Sequence, residues 1–330
     1  MRSSTSSSEA EVLRADWPRT LTATALLVLL LLGGWEVFWR TRGFEPSVSD
    51  DARLWSAARH RVRPDSVVLV GSSRMHAGVH PSDFQQATGI LPVQLAVNGG
   101  MSYPVLENLA RDQSFRGTVI CDLSEAEVTT GMTTYLETGF VNSYEHETLA
   151  GRAESRLQMF AQAHLVLASP QLSPPLLEAA ALQGRLPAPA TSPATVGEDR
   201  TLYLDFTKAD LEKLRPKIAD MTVAQGPDIS PEEFVARARR FVSLAEKIEA
   251  RGGRVVFVRF PTSELLWERL EKAYPKASYW DEFARRTHVQ TVHFKDYPEL
   301  QFDCPDYVHL DMRDAPRFTS ALAKIVFAKR

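Results

Sequence analysis

Cysteine is nearly absent from this chain of 330 residues, which has only Cys121 and Cys304. Two cysteines build neither a disulfide framework nor a cysteine-rich zinc site. An excess of one charge is lacking too. Lys and Arg number 38 against 41 Asp and Glu, a net charge of −3, so nothing marks a nucleic-acid partner or an acidic interaction tail. No internal repeat is present. His60, His80, His146, His164 and His288 show no metal-ligand spacing, the aspartates form no calcium loop, and no nucleotide fingerprint occurs. The sequence therefore calls for no metal and no cofactor. Long apolar runs are missing with one exception, which excludes a polytopic membrane protein. What is present, 44% hydrophobic and 24% charged residues, describes a globular chain with ample core.

The exception lies near the N-terminus. Residues 21–35 read LTATALLVLLLLGGW without a charge, and Val37, Phe38 and Trp39 extend the stretch past Glu36. A bilayer needs about 20 residues, reached by counting to Trp39, with Trp35, Phe38 and Trp39 at an interface. A cleaved signal peptide would need small residues after the run, and Trp35 and Phe38 suit cleavage badly. The expectation is an uncleaved anchor over residues 20–39, a polar, disordered cytoplasmic tail over 1–19, and everything beyond Arg42 outside the cytoplasm, in the periplasm if the anchor sits in an inner membrane.

Residues 40–64 read as a linker with a short helix near 51–60. Strands are then expected at 66–70, 92–97, 118–121, 254–260 and 289–294. Helices are expected at 81–87, 103–112, from Pro231 to the Gly252-Gly253 stop, and at 265–274, 280–286 and 315–328. Strands alternating with helices imply an α/β fold, three layers deep, with a five-stranded parallel sheet. Its two halves fall at 65–123 and 230–330. Between them the pattern fails. Residues 124–229 read as an insertion, a loop or small helical lid, with Pro170, Pro174, Pro175, Pro187, Pro189 and Pro193 in its middle.

Ligands of open parallel sheets bind beyond the carboxyl ends of the strands. Those ends carry Gly71-Ser72-Ser73-Arg74, Asn98-Gly99-Gly100, Asp122-Leu123-Ser124, Pro261-Thr262-Ser263 and, after the fifth strand, Asp306-Tyr307-Val308-His309. Taken singly, the first is a turn with a serine cap, the second a plain turn and the last a surface ion pair. Together on one edge they supply a nucleophile, a base and an orienting carboxylate. His309 would take the proton of a serine hydroxyl, and Asp306, three residues earlier, would orient the imidazole.

Gly-x-Ser after the first strand, Asn-Gly-Gly after the second and Asp-x-x-His before the last helix resemble the SGNH (GDSL-type) esterase and acyltransferase superfamily. The closest resemblance is to its membrane-anchored envelope branch. That branch includes proteins that O-acetylate exopolysaccharides such as alginate, and the anchored protein of teichoic-acid D-alanylation. The resemblance covers 66–122 and 254–328, and it implies a flavodoxin-like sheet. It makes Ser73 the nucleophile, with Ser72 the alternative, and places the oxyanion at the N–H groups of Ser73 and Gly100, with Gly99 the near alternative. The family's third block carries an asparagine that donates to the oxyanion. Here Asp122 follows the third strand, and an ionised carboxylate cannot donate. This departure favours transfer over hydrolysis. The resemblance implies a polysaccharide acceptor and an acyl donor supplied by a multi-spanning membrane O-acyltransferase.

Arg74, Asn98, Asp122 and Arg259 lie on the same rim as candidate substrate-binding residues. A structural ion pair is the simpler reading of Arg259, solvated turn positions that of Arg74 and His76, and a packed side chain that of His293. Outside the cytoplasm Cys121 and Cys304 could pair, which sequence alone leaves open.

Overall fold

The computed structural model describes residues 16–130, 134–189, 192–223 and 228–328, with side chains for all but 221–223. The expected disordered tail lies outside the described residues up to position 15. Over 17–19 the chain is already helical. The described chain forms two compact units, one made of residues up to 46 with 165–189, the other of 47–164 with 190–330.

In the first unit a helix runs over Trp17–Arg40, its N-terminus capped by Asp16. Its 24 residues make a rod of about 36 Å at about 1.5 Å each, enough to cross a bilayer core of about 30 Å. Its leucines are outward and uncovered, Leu29 at 65% and Leu30 at 73% exposure. Among the described residues, only its last turn is buried against protein. Trp39 is buried with Phe44, Val166 and Leu172, and Leu177 lies against them.

The second unit holds a five-stranded, wholly parallel sheet: β1 (Val67–Val70), β2 (Val93–Gln94), β3 (Thr118–Asp122), β6 (Arg254–Arg259) and β7 (Gln290–His293), in the order β2-β1-β3-β6-β7. Two further strands, β4 (Ala194–Val196) and β5 (Leu202–Leu204), pair as an antiparallel ribbon. The central strands are runs of Val, Ile and Leu because both sheet faces are covered. Successive side chains alternate between faces. Val68, Val70, Val119, Val255 and Phe257 meet Trp55, Leu106, Phe241 and Phe283 on one side. Leu69, Ile120, Val256, Val258 and Val292 meet Met75, Phe84, Phe318 and Leu322 on the other. Most of the helices carrying these residues fall where the sequence placed them, Pro231–Glu249 behind its Ser230 cap among them, while the short helix Ser73–Gly78 that carries Met75 is additional.

The ladder of β2 is shorter than the expected 92–97, yet its bonding continues: Leu95 N–H donates to the Leu69 carbonyl and Val97 N–H to the Gly71 carbonyl. On the far side of β2 the fully buried Arg200 donates to the carbonyls of Gln94 (2.9 Å) and Ala96 (2.8 Å), and the Gln94 side chain accepts from Ala96 N–H. Both oxygens of Asp50 hold the same guanidinium, at 2.7 and 3.0 Å.

The segment after β3 is largely helical, with helices at Glu125–Thr130, Tyr135–Glu145, Leu149–His164, Pro174–Leu182 and Leu211–Val223. Residues 165–189 belong to the first unit and the rest to the second. The cysteines do not pair. Both are free and buried, Cys121 in the core on one face of the sheet and Cys304 in the core on the other.

Candidate active site

The strand order reverses direction around β1, and at such a switch point the carboxyl ends of β1 and β3 open a crevice. A small cleft, about 170 Å3, lies there, lined by Ser72, Ser73, Arg74, Gly99, Gly100, Met101, Ser124, Ala126, Ile218, Val308 and His309. A wider groove along the helix Ala315–Phe327 has no histidine base in its lining.

Ser73 opens a short helix, Ser73–Gly78, directly after β1. Its position is fixed from beneath by Gly71, where a Cβ would stand 2.5 Å from Cβ of Asp122 and 2.9 Å from Cβ of Met75. The Ser73 Oγ lies 2.7 Å from Nε2 of His309, and Nδ1 of His309 lies 2.7 Å from Oδ2 of Asp306. A carboxylate only accepts, so the imidazole proton sits on Nδ1 and Nε2 accepts from the serine hydroxyl. The other Asp306 oxygen accepts from the N–H groups of Val308 (3.1 Å) and His309 (2.8 Å). Burial works against the charge on Asp306, but these bonds and the neighbouring imidazole hold its pKa below the ordinary value.

The turn bearing Asp306 and His309 is braced. Tyr307 has φ +80°, a region costly for a residue with a side chain. Its carbonyl accepts from Ser263 N–H at 3.0 Å, and its N–H donates to the Cys304 carbonyl at 2.8 Å. From Leu211–Val223, Arg215 donates to the Pro305 carbonyl at 2.7 Å and lays its guanidinium 5.1 Å from the centre of the Tyr307 ring. The same helix contributes Ile218 to the cleft wall.

Ser72 faces the other way. Its Oγ donates to Oδ2 of Asp122 at 2.7 Å and accepts from Arg74 N–H as the helix cap. Asp122 is fully buried, and Arg74 Nε stands 3.4 Å from its Oδ2. Burial opposes the charge on Arg74, and Asp122, Glu127 and Glu125 outweigh it, raising its pKa. Its two Nη groups have no hydrogen-bond partner among the described residues, and the side chain lines the cleft.

The expected oxyanion donors divide. Ser73 N–H, at the first position of its helix, has no intrahelical partner. Gly100 N–H is engaged within its own turn, donating to the Val97 carbonyl at 3.0 Å, so Gly99, which also lines the cleft, is the turn's remaining candidate. Asn98 is exposed beside that turn and outside the lining. Arg259 is wholly buried and turned away, bonded to Glu125 at 2.8 Å and to Thr262, which pins the start of the helix Glu125–Thr130 to β6. His293 is a packed side chain whose Nδ1 accepts from Lys295 N–H.

His76 is fully buried rather than solvated. Its Nε2 bonds the Arg200 carbonyl, and burial first, then the Arg200 charge, push its pKa down to about 4. Glu127 escaped the sequence reading. It is buried, holds both the N–H and the hydroxyl of Ser102, and so fixes the chain two positions beyond the Gly99-Gly100 turn. A signal existed, since Ser124-x-x-Glu127 has capping-box spacing and Ser124 Oγ does accept from Glu127 N–H. Among the described residues no three His, Cys, Asp or Glu side chains are grouped as metal ligands would be.

Compared with known proteins, the chain matches no family model and no curated protein.

Proposed function

We propose that this chain is a membrane-anchored serine O-acyltransferase of the SGNH type, working outside the cytoplasm on an envelope or exported polysaccharide. The observation that carries the reading is the unbroken chain from Ser73 Oγ through His309 to Asp306, opening on a cleft at the carboxyl edge of the sheet.

In the first half-reaction Ser73 Oγ attacks the carbonyl carbon of an acyl ester. Its proton passes to Nε2 of His309, and the donor's oxygen leaves with that proton. In the second half a sugar hydroxyl attacks the acyl-Ser73 carbonyl and gives its proton to His309, which returns it to Ser73. Ser73 N–H, Gly99 N–H and the Nη groups of Arg74, which have no partner among the described residues, are the donors that would serve the oxyanion. Arg74 stands in for the missing asparagine, at a site where the loss of one donor costs about 3–4 kcal/mol. Asp122 serves that arrangement as an acceptor that aims Arg74 and draws Ser72 away from the nucleophile's role. The expected tether favours transfer at a membrane surface over release into bulk water. Hydrolysis shares the first half-reaction and is separated by its acceptor.

The test uses the full chain in detergent with a fluorophosphonate probe and intact-mass readout. A single adduct lost in Ser73→Ala and in His309→Ala, and kept in Ser72→Ala, is the expected result. With an acetyl ester donor, added oligosaccharide diverts acetyl groups from water to sugar in a transferase and leaves hydrolysis unchanged in an esterase. A folded protein that takes no adduct refutes both and points to a non-catalytic glycan-binding component.

A further inference from the structure

Glu36 is an acidic residue inside an apolar helix, one turn before its end, and it is not idle. Its two carboxylate oxygens each accept a backbone N–H, from Val166 and Leu167, both at 2.9 Å, while Arg40 donates to it from the next turn at 2.7 Å. Three residues on, Trp39 is buried against Val166, Leu172 and Phe44. These contacts tie residues 165–172 to the last turn of the helix. Glu36 lies about 6 Å along the axis from Arg40, so the tied segment sits at the depth where a spanning helix leaves the hydrocarbon.

The composition of that segment suits the depth. Between 165 and 189 the charged residues are Glu178 and Arg185 alone. Its helix, Pro174–Leu182, packs Leu177 against the cluster around Trp39 and leaves Leu176 at 52% and Leu182 at 82% exposure, followed by Leu186 at 54%. Leucines left this open lie on a segment tied to the end of a helix whose own leucines are equally open.

We infer that residues 165–189 are a second membrane-contacting element: a collar around the emerging end of the helix Trp17–Arg40 whose Leu176, Leu182 and Leu186 enter the boundary between lipid headgroups and acyl chains. The occupant of this apolar surface is lipid, because the segment is fixed through Glu36 and Trp39 to the end of the helix that spans and carries almost no charge. The inference rests on that helix spanning the bilayer, and the experiment separates the two.

The full chain is reconstituted into vesicles of phosphatidylethanolamine and phosphatidylglycerol. A nitroxide is placed in turn at Leu176→Cys, Leu182→Cys, Leu186→Cys, Leu29→Cys and Gln113→Cys. The native cysteines are buried, and the unsubstituted parent supplies the background. Accessibility to oxygen, which concentrates in lipid, is compared with accessibility to a water-soluble nickel chelate, and circular dichroism verifies that each labelled protein is folded. Leu29 should be oxygen-rich and Gln113 nickel-rich. The three collar positions are expected to resemble Leu29, with an oxygen-to-nickel ratio several times that of Gln113. Collar positions that match Gln113 while Leu29 is lipid-exposed overturn the collar alone. Low accessibility to both reagents means a protein partner or a second copy covers the surface, which also overturns it. A nickel-rich Leu29 overturns the anchor and the collar with it.

Discussion

Asp306→Asn isolates the orienting role of the carboxylate with the smallest change of shape. In the parent, one oxygen accepts two backbone N–H groups of the turn and the other accepts Nδ1–H of His309. An amide has one acceptor oxygen. If that oxygen stays with Val308 and His309 N–H, the amide nitrogen faces Nδ1 and forces it to accept. The imidazole proton then moves to Nε2, which donates to Ser73 Oγ and cannot take its proton. If the amide flips, two backbone donors face an NH2 group, and the turn that holds Tyr307 at positive φ loosens at a cost of about 1–3 kcal/mol per unmade bond. The first arrangement is the cheaper one, so the variant should fold with a melting temperature near that of the parent. Fluorophosphonate labelling and ester turnover should fall about 10^4-fold, about 5.5 kcal/mol of transition-state stabilisation, as when other triads receive the wrong tautomer. The assay is the pseudo-first-order labelling rate by intact mass at neutral pH, with thermal unfolding alongside. A well-folded variant that labels within tenfold of the parent would refute the argument that Asp306 sets the tautomer of His309.

Arg200→Met should cost about 3–5 kcal/mol of unfolding free energy, because it leaves the Asp50 carboxylate and the Gln94 and Ala96 carbonyls unpaired. Denaturant titration checks this, and a cost under about 1 kcal/mol counts against the pairing. Burial, then the Asp122 charge, push Glu127 up to about 8. Between its unfolded pKa near 4.5 and that value the folded chain holds a proton the unfolded chain has released, so stability falls as pH rises through the window. Glu127→Gln does not titrate, so its stability relative to the parent should improve by more than about 1 kcal/mol from acid to mildly alkaline pH. A pH-independent difference would contradict the shift. Gly71→Ala places a methyl group against Asp122 and Met75 and should destabilise by about 1–3 kcal/mol while slowing Ser73 labelling. Unchanged labelling would show that the floor beneath Ser73 can yield.

The five parallel strands and most of their covering helices were legible because their signals are local: β-branched runs, a Ser-Pro-Glu-Glu helix start, a Gly-Gly stop. Ser73, Asp306 and His309 were legible as a set because strand ends point one way in a parallel sheet, which brings residues 236 positions apart to 2.7 Å. What stayed hidden depends on contacts without local pattern. Arg200 reaches Asp50 across 150 positions from a segment where periodicity fails. His76 looked like a solvated turn residue because nothing in its neighbours announces that the Arg200 carbonyl will cover it. Gly100 was an oxyanion candidate by type, but whether its N–H is available depends on a turn that closes onto Val97. For Arg259 the structural ion pair was the simpler reading, and only its partner, Glu125, and its full burial stayed hidden.

The guanidinium of Arg200 has a consequence for the protein's behaviour in a crowded compartment. β2 ends the sheet, and an end strand offers its outward carbonyls and N–H groups as a template for another chain. Here Arg200 occupies the outward carbonyls of Gln94 and Ala96, and the Gln94 side chain occupies the Ala96 N–H. This edge of the sheet is terminated by side chains from its own chain, so edge-to-edge growth through β2 would first have to extract a buried arginine held by both oxygens of Asp50.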